Sequence, residues 1–233
     1  MHRTRTPLVK WFWMIFLLSS DKRGISTLEV AKKLELRYAT AWEILHKIRK
    51  AMSDRDSKYM LAGVIEMDET FIGTSSKGNK KKGRGSDKVP VVVSVSTVGD
   101  KMLFAKMQVV ESVDKKEIEK IVSNTIPKGE TIKTDGLQVY KFLETIGYKH
   151  HREVISGSGM KAHDLLKWIH IIASNVKAWI NVTFHGIEKK HLQAYLNEFC
   201  YRLNRRFFEG QIFDRLLNAC VLSKGITYAE LIG

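Results

Sequence analysis

Hydrophobic residues in the N-terminal part of the chain recur at helical spacing. Trp11, Ile15 and Leu18 fall on one face of a helix, and Gly24 predicts its end. Ser26 is a suitable N-cap for a short second helix, which a brief turn separates from a longer third helix. This layout is typical of helix-turn-helix proteins, although an ordinary helical hairpin has the same pattern.

The pattern changes to strand-like alternation after residue 62. Val64–Ile72 alternates as a strand, and two further apolar segments flank a Gly99-Asp100 turn as a hairpin. The hairpin strands are predicted over 89–98 and 102–110, and the later elements as helix 114–126, strand 131–134, helix 137–146, strand 151–155, helices 163–181 and 188–206, and a shorter C-terminal helix. A three-strand meander followed by alternating helices and strands predicts an α/β fold, an RNase H-like mixed sheet with flanking helices.

Three regions follow from this order of elements. We expect a small helical helix-turn-helix region over 1–58 and an RNase H-like catalytic domain over 59–212. Residues 213–233 form the expected C-terminal helical tail.

Charge favours a polyanionic partner. The chain has 39 Lys and Arg against 25 Asp and Glu, a formal net charge of +14. Nucleic acid is the commonest partner of such a surplus, although a basic protein without a nucleic-acid target has the same composition. The Gly-rich segment 73–88 concentrates this charge and includes Lys81, Lys82 and Arg84. It fits either a solvated loop or a basic loop beside a DNA channel.

The sequence argues against a membrane location. The apolar run Trp11–Leu18 has eight residues, far fewer than the ~20 that span a bilayer. Cys200 and Cys220 are not part of a closely spaced pair, which favours a reducing compartment. We therefore expect a cytoplasmic, nucleoid-associated protein with no membrane partner.

Carboxylates in the predicted strands are the first candidates for chemistry. Glu66 and Asp68 share one face of an otherwise apolar strand, where they repel each other unless a cation lies between them. An exposed polar strand edge is the alternative. Asp135 follows a later strand and fits either a turn or a second metal ligand beside Asp68. We predict that Asp68 and Asp135 bind the metal and are catalytic.

The third catalytic position falls on the helix predicted over 163–181. His170 and Lys177 point in nearly the same direction, whereas Asn175 points elsewhere. Mg²⁺ prefers oxygen ligands, so His170 would favour Mn²⁺ or act through water, unless it is merely structural. Two-metal strand transfer needs such groups from separate elements. Lys177 would then contact phosphate.

Basic and polar residues at two further places are candidate DNA contacts. Arg37, Thr40 and Lys47 lie at the start and on the outer face of the third helix. Arg205 and Arg206 end a later helix and fit either a phosphate grip or a solvated helix terminus.

Several of these motifs together resemble the IS1595-type (ISXO2-like) insertion-sequence transposases. The resemblance rests on Met67–Gly73, the basic Gly-rich loop, Thr134-Asp135-Gly136, and 189–199 through 202–206, and it covers about 8–208. It implies an RNase H-like core, metal-dependent cleavage and joining of DNA, and binding to terminal inverted repeats, with Asp68 and Asp135 as the first two catalytic acids.

The sequence departs from that family at two places. The family usually has a Glu seven residues before a Lys, and counting back from Lys177 gives His170, with Asn175 as a competing assignment. The Cys-rich zinc ribbon that often precedes the helix-turn-helix in the family is not seen, and both a truncated and a misannotated reading frame fit this departure.

We therefore expect a DDE-type transposase that uses Mg²⁺ or Mn²⁺. Its partners are double-stranded DNA, as terminal inverted repeats and target DNA, and further copies of the chain in a homo-oligomer. Two alternatives stay open. One is a non-catalytic DNA-binding protein derived from a decayed or truncated transposase, and the other is a nuclease that never joins strands.

Overall fold

The computed structural model describes residues 4–21, 23–73, 88–152, 166–184 and 187–232. The chain forms two compact units. One combines Met1–Lys58 with Trp179–Gly233, and the other is Tyr59–Ala178.

The unit Tyr59–Ala178 is built on a five-stranded mixed sheet of order β3-β2-β1-β4-β5. Its strands are β1 (Val64–Ile72), β2 (Val89–Val98), β3 (Lys101–Val109), β4 (Thr131–Thr134) and β5 (Lys149–Arg152). β2 is antiparallel to β1 and β3, whereas β4 is parallel to both β1 and β5. The meander followed by parallel strands confirms the RNase H-like α/β architecture.

Helices pack on this sheet because its strands are apolar on the inner positions. Ile65, Met67 and Ile132 share a buried cluster with Ile118 of α4 (Lys115–Thr125). Tyr140 joins that cluster from a 3-10 helix, Gln138–Ile146. The opposite face of β1 carries Glu66, which meets the first residues of α5 (Lys167–Thr183).

Two predicted elements differ clearly from those observed. β5 begins at Lys149 instead of residue 151, because Gly147 in a left-handed conformation ends the preceding helix and buried Tyr148 anchors the chain at once. The segment 188–206 is a 3-10 turn, Lys189–His191, followed by α6 (Leu192–Leu203). The predicted helix start at 163 lies outside the described residues.

The other unit is a helical bundle with α3 near its centre. Its helices are α1 (Leu8–Ser20), α2 (Thr27–Lys33), α3 (Tyr38–Asp56), α6, α7 (Ile212–Leu222) and α8 (Tyr228–Ile232). Ile44, Leu45 and Ile48 of α3 share one buried cluster with Tyr201 and Leu216. Residues 179–212, which we assigned to the catalytic domain, therefore group with the N-terminal helices, because their apolar faces complete this core.

No helix in the described part of the chain is long and apolar enough to cross a membrane. Cys200 and Cys220 are both free thiols, the first buried and the second half-buried.

Candidate active site

Parallel pairing of β1 with β4 brings the two predicted acids to the same edge of the sheet. Glu66 is in register with Lys133. Extending that register by two residues sets Asp68 opposite Asp135, which directly follows β4. Neighbouring strands lie about 4.8 Å apart, and residues in register point to the same face. Two residues far apart in sequence thus lie close together.

The electrostatics of Asp68 agree with this placement. Burial raises the pKa of Asp68 to about 7, and the negative charges of Glu69 and Asp135 act in the same direction. Asp135 itself is exposed, and its Oδ1 accepts a hydrogen bond from the Leu137 N–H at 3.1 Å. A half-buried carboxyl beside two other acids favours either a proton or a cation.

Glu69 belongs to the same cluster but faces a different neighbour. The Tyr140 hydroxyl donates a hydrogen bond to Glu69 Oε2 at 3.4 Å. Burial and the charges of Glu69, Asp68 and Asp135 raise the pKa of Tyr140 well above its ordinary value, so it stays a neutral donor. Neither Glu69 nor Tyr140 was predicted from the sequence as a site residue. Their pairing across 71 positions left no local signal.

Glu66 has a structural contact of its own. It is 8% exposed, and its Oε2 accepts hydrogen bonds from the backbone N–H groups of Trp168 at 3.0 Å and Ile169 at 3.3 Å. These groups belong to the first turn of α5, where N–H groups have no partner inside the helix. These two hydrogen bonds stabilise the Glu66 carboxylate, so the repulsion expected between Glu66 and Asp68 is reduced. They also hold the start of α5 against β1.

This contact sets the position of His170. His170 lies in the turn of α5 that Glu66 holds, and Glu66 is two residues before Asp68 on β1. Lys177 lies near Lys88, since the charge of Lys88 helps burial to lower the pKa of Lys177. Lys88 precedes Val89, the partner of Ile72. α5 therefore runs along β1 in the same direction.

The buried stripe of α5 separates the two candidates for the third position. Ile169, Ile172, Val176 and Ile180 are buried. His170 and Lys177 lie on one flank of that stripe, and exposed Asn175 lies on the other.

The donor set fits a divalent cation. Asp68 and Asp135 offer carboxylate oxygens, the ligands that Mg²⁺ and Mn²⁺ prefer. Mutual repulsion among three acids is what a bound cation relieves. Within the described residues, no group of three or more His, Cys, Asp or Glu side chains is arranged to hold a metal.

The helical unit positions the first set of predicted DNA contacts. Arg37 is exposed at the N-cap of α3, and Thr40 is half-buried in its first turn. Lys47 is paired with Glu43 at 2.6 Å on the same helix. α2, the turn at Glu35 and α3 keep the predicted short-turn-long layout.

Arg205 requires a correction. It was expected to contact DNA, but it is 6% exposed and its guanidinium is paired with Asp56 at 2.7 Å. The same group lies 3.5 Å from the centroid of the Tyr201 ring. Arg205 therefore joins the C-terminal ends of α3 and α6 through a buried ion pair. Arg206 is half-buried and donates to the Leu203 carbonyl, and Lys81, Lys82 and Arg84 lie outside the described residues.

Comparison with known proteins adds a family match. The family model of the ISXO2-like transposase domain matches residues 60–204. No curated protein sequence matches the chain.

Solved structures give weaker likenesses. A pre-cleavage Mos1 transpososome is 14% identical over 97% of this chain and 82% of that chain, with a TM-score of 0.33. A Mos1 mariner paired end complex with Mn is 15% identical over 95% and 80%, with a TM-score of 0.35. A simian T-cell lymphotropic virus intasome in complex with PP2A regulatory subunit B56 gamma is 10% identical over 88% and 72%, at 0.37. TM-scores this low support no conclusion about activity.

Proposed function

Because the chain belongs to the ISXO2-like transposase family, we propose that it cuts and rejoins DNA at insertion-sequence ends at Asp68 and Asp135. The observation that carries this proposal is the β1–β4 register, which brings two sequence-distant carboxylates together. The raised pKa of Asp68 supports it, since the site is short of positive charge. The partner is double-stranded DNA, and the chain acts in the cytoplasm at the nucleoid.

We propose Mg²⁺ or Mn²⁺ as the cofactor, held by the carboxylates of Asp68 and Asp135. When bound, the ion supplies Lewis-acid chemistry that activates the attacking water or 3′-hydroxyl and stabilises the leaving oxygen. Glu66 fixes the start of α5, so His170 is held near the strand that carries Asp68. His170 occupies the third position directly or through water. Lys177, on the same flank of α5, contacts a phosphate of the bound strand.

The helical unit supplies end recognition in this proposal. Arg37 is exposed at the start of α3, and Thr40 follows it one turn later. Lys47 contacts DNA when a phosphate replaces Glu43 as the partner of its ammonium group. Arg206 is the remaining candidate at the end of α6. We expect Arg37→Ala to weaken DNA binding, with unfolding unchanged.

We further propose that the protein acts as a homo-oligomer on DNA, since two element ends must be brought together. α1 supports this proposal. Leu8, Val9, Phe12, Trp13 and Phe16 of that helix are 40–64% exposed, and contiguous apolar patches of this kind mark protein interfaces. Light scattering of the protein with and without DNA tests the association, and Phe12→Ser with Trp13→Ser should reduce it.

Cleavage of a duplex bearing the element's terminal repeat tests the catalytic proposal. We expect nicking that requires Mn²⁺ or Mg²⁺ and that Asp68→Asn and Asp135→Asn each abolish. The control, Asp100→Asn, removes an exposed acid from the β2–β3 turn and should leave nicking unchanged. Binding without nicking would contradict the proposal and point to a non-catalytic DNA-binding protein. Nicking without strand-transfer products on a target plasmid would point to a nuclease.

A further inference from the structure

A small cavity opens beside β5, at the edge of the described sheet in the unit Tyr59–Ala178. It measures about 260 Å³ and is lined by Lys141, Glu144, His150 and Arg152. Lys141 and Glu144 are three residues apart on the 3-10 helix Gln138–Ile146, so they project from the same side of it. His150 and Arg152 are two apart on β5, the edge strand, and share one face.

Strand register ties this cavity to the active-site edge. Arg152 is in register with Thr134, the residue before Asp135. His150 Nε2 lies 2.9 Å from Thr134 Oγ1. Adjacent strands are about 4.8 Å apart, and successive residues of a strand point to opposite faces. Arg152 therefore lies at the same end of the sheet as Asp135, but on the face of Thr134. A DNA strand bound at Asp135 has to cross this end of the sheet to reach Arg152.

The charges in the cavity favour an anion with several hydrogen-bond acceptors. Within the described residues, neither Lys141 nor Arg152 forms an ion pair. Burial lowers the pKa of His150, so this side chain is neutral at physiological pH. Its bond to the Thr134 hydroxyl holds the ring in place. Among the described residues of the lining, Glu144 is the one acid, and it reduces the attraction for an anion without cancelling the two cations.

We propose that Lys141 and Arg152 form a phosphodiester-binding subsite that holds the DNA backbone a short distance from the Asp68–Asp135 site. Arg152 supplies a planar fork of donors suited to phosphate oxygens, and Lys141 supplies a mobile point charge. His150 positions the wall of the subsite through Thr134. The identity of the strand as DNA rests on the proposed function, whereas the preference for phosphate rests on the cavity alone.

Binding of a fluorescein-labelled DNA duplex to the full chain tests the subsite. The protein carries Asp68→Asn and the buffer contains EDTA, so cleavage plays no part. We expect Lys141→Glu to weaken binding about tenfold, which corresponds to about 1.4 kcal/mol. The matched control is Lys120→Glu, which reverses an exposed lysine on α4 of the same unit and should weaken binding less than about twofold by general electrostatics. Equal losses would overturn the proposal, because a diffuse field and not a subsite would then account for binding.

Two further variants distinguish a phosphate subsite from a purely structural role of the cavity residues. Glu144→Gln removes the opposing charge and should tighten binding about threefold, a gain that misfolding cannot produce. Weaker binding by Glu144→Gln would overturn the proposal, because the carboxylate would then contact a base or support the fold. Arg152→Ala should lower the slope of log K against log salt by about 0.9, the value for one lost phosphate contact. An unchanged slope would contradict the assignment.

Inorganic phosphate distinguishes the two sources of this chemistry. We expect calorimetric titration with phosphate alone to show binding far weaker than that of the duplex, with the residual signal lost in Lys141→Glu. Saturation by phosphate at concentrations where the duplex does not bind would make the cavity a free-phosphate site and overturn the DNA assignment. Loss of nicking in the cleavage assay leaves this result intact, because binding is read without metal.

Discussion

The Glu66 carboxylate on β1 accepts the backbone N–H of Trp168 at 3.0 Å, across 102 positions of sequence. The contact joins the first turn of α5 to the strand that carries Asp68, two residues further on. Ile169 donates to the same oxygen. One buried acid thereby fixes the start of the helix that carries His170. Glu66 is therefore a positioning residue.

Replacement of Glu66 should lower stability more than metal binding. Glu66→Ala leaves two N–H groups of a helix start without their acceptor, and we expect a loss of about 1–3 kcal/mol in urea unfolding. Glu66→Gln keeps one acceptor oxygen and should lose less. Both variants should bind Mn²⁺ nearly as well as the parent chain. Full stability combined with lost Mn²⁺ binding would make Glu66 a metal ligand instead.

A buried ion pair should dominate the stability of the helical unit. Arg49 Nε lies 2.8 Å from Glu198 Oε2, and both side chains are fully buried. Arg49 also stacks 3.9 Å from the centroid of the Tyr195 ring. Glu198→Ala leaves a buried cation without its partner, and we expect a loss of about 3–5 kcal/mol in chemical denaturation. Glu43→Ala breaks the partly exposed pair with Lys47 and should cost less than about 1 kcal/mol. Similar losses of stability in the two variants would show that burial does not determine the cost of breaking these ion pairs.

Gly24 should tolerate no side chain. Its φ is +77°, and a Cβ there would lie 2.6 Å from Nε1 of Trp179, part of a rigid indole ring. Left-handed backbone strain of about 1–2 kcal/mol adds to that clash. We expect Gly24→Ala to lower the melting temperature clearly, whereas Gly210→Ala, which has open space around it, should not. Equal melting temperatures for Gly24→Ala and the parent chain would show that Trp179 moves aside freely.

Stability should fall in mild acid because of His46. This ring is 3% exposed and lies 4.1 Å from the ring of Trp42, centroid to centroid. Burial first, then the charges of Arg49 and His191, lower its pKa from 6.5 to about 3. The unfolded chain therefore binds the extra proton, so stability is complete above pH 6.5 and declines as pH falls toward 3. The loss between about pH 6.5 and about pH 5 is about 2 kcal/mol.

Substitution isolates that contribution. The unfolding free energy of His46→Gln should vary less with pH over this window than that of the parent chain. His151→Gln, which removes an exposed histidine, should keep the parent's pH dependence. An unchanged slope in His46→Gln would assign the acid sensitivity to other groups.

Local sequence patterns predicted the sheet well. Alternation gave β1 as Val64–Ile72 and β4 as Thr131–Thr134, and Gly99-Asp100 marked the hairpin between β2 and β3. These features depend on side-chain period and turn chemistry, both of which are local. The same locality is why the sequence marks Asp68 and Asp135 as candidates, since each ends or interrupts an apolar strand.

Contacts between segments that are far apart along the chain could not be predicted from the sequence. Glu66 resembled a metal ligand because its two N–H partners belong to a helix 102 positions later. Arg205 resembled a surface residue because nothing near it in sequence indicates Asp56. The grouping of residues 179–212 with the N-terminal helices has the same origin, since the buried cluster containing Tyr201 forms only when the helices assemble.

Anomalous X-ray scattering from crystals soaked in Mn²⁺ tests the central claim most directly. We expect one manganese peak within bonding distance, about 2.0–2.6 Å, of a carboxylate oxygen of both Asp68 and Asp135, and no such peak in Asp68→Asn. A manganese ion bound elsewhere, or the two aspartate side chains turned away from each other with no metal between them, would contradict the assignment of Asp68 and Asp135 as the metal ligands.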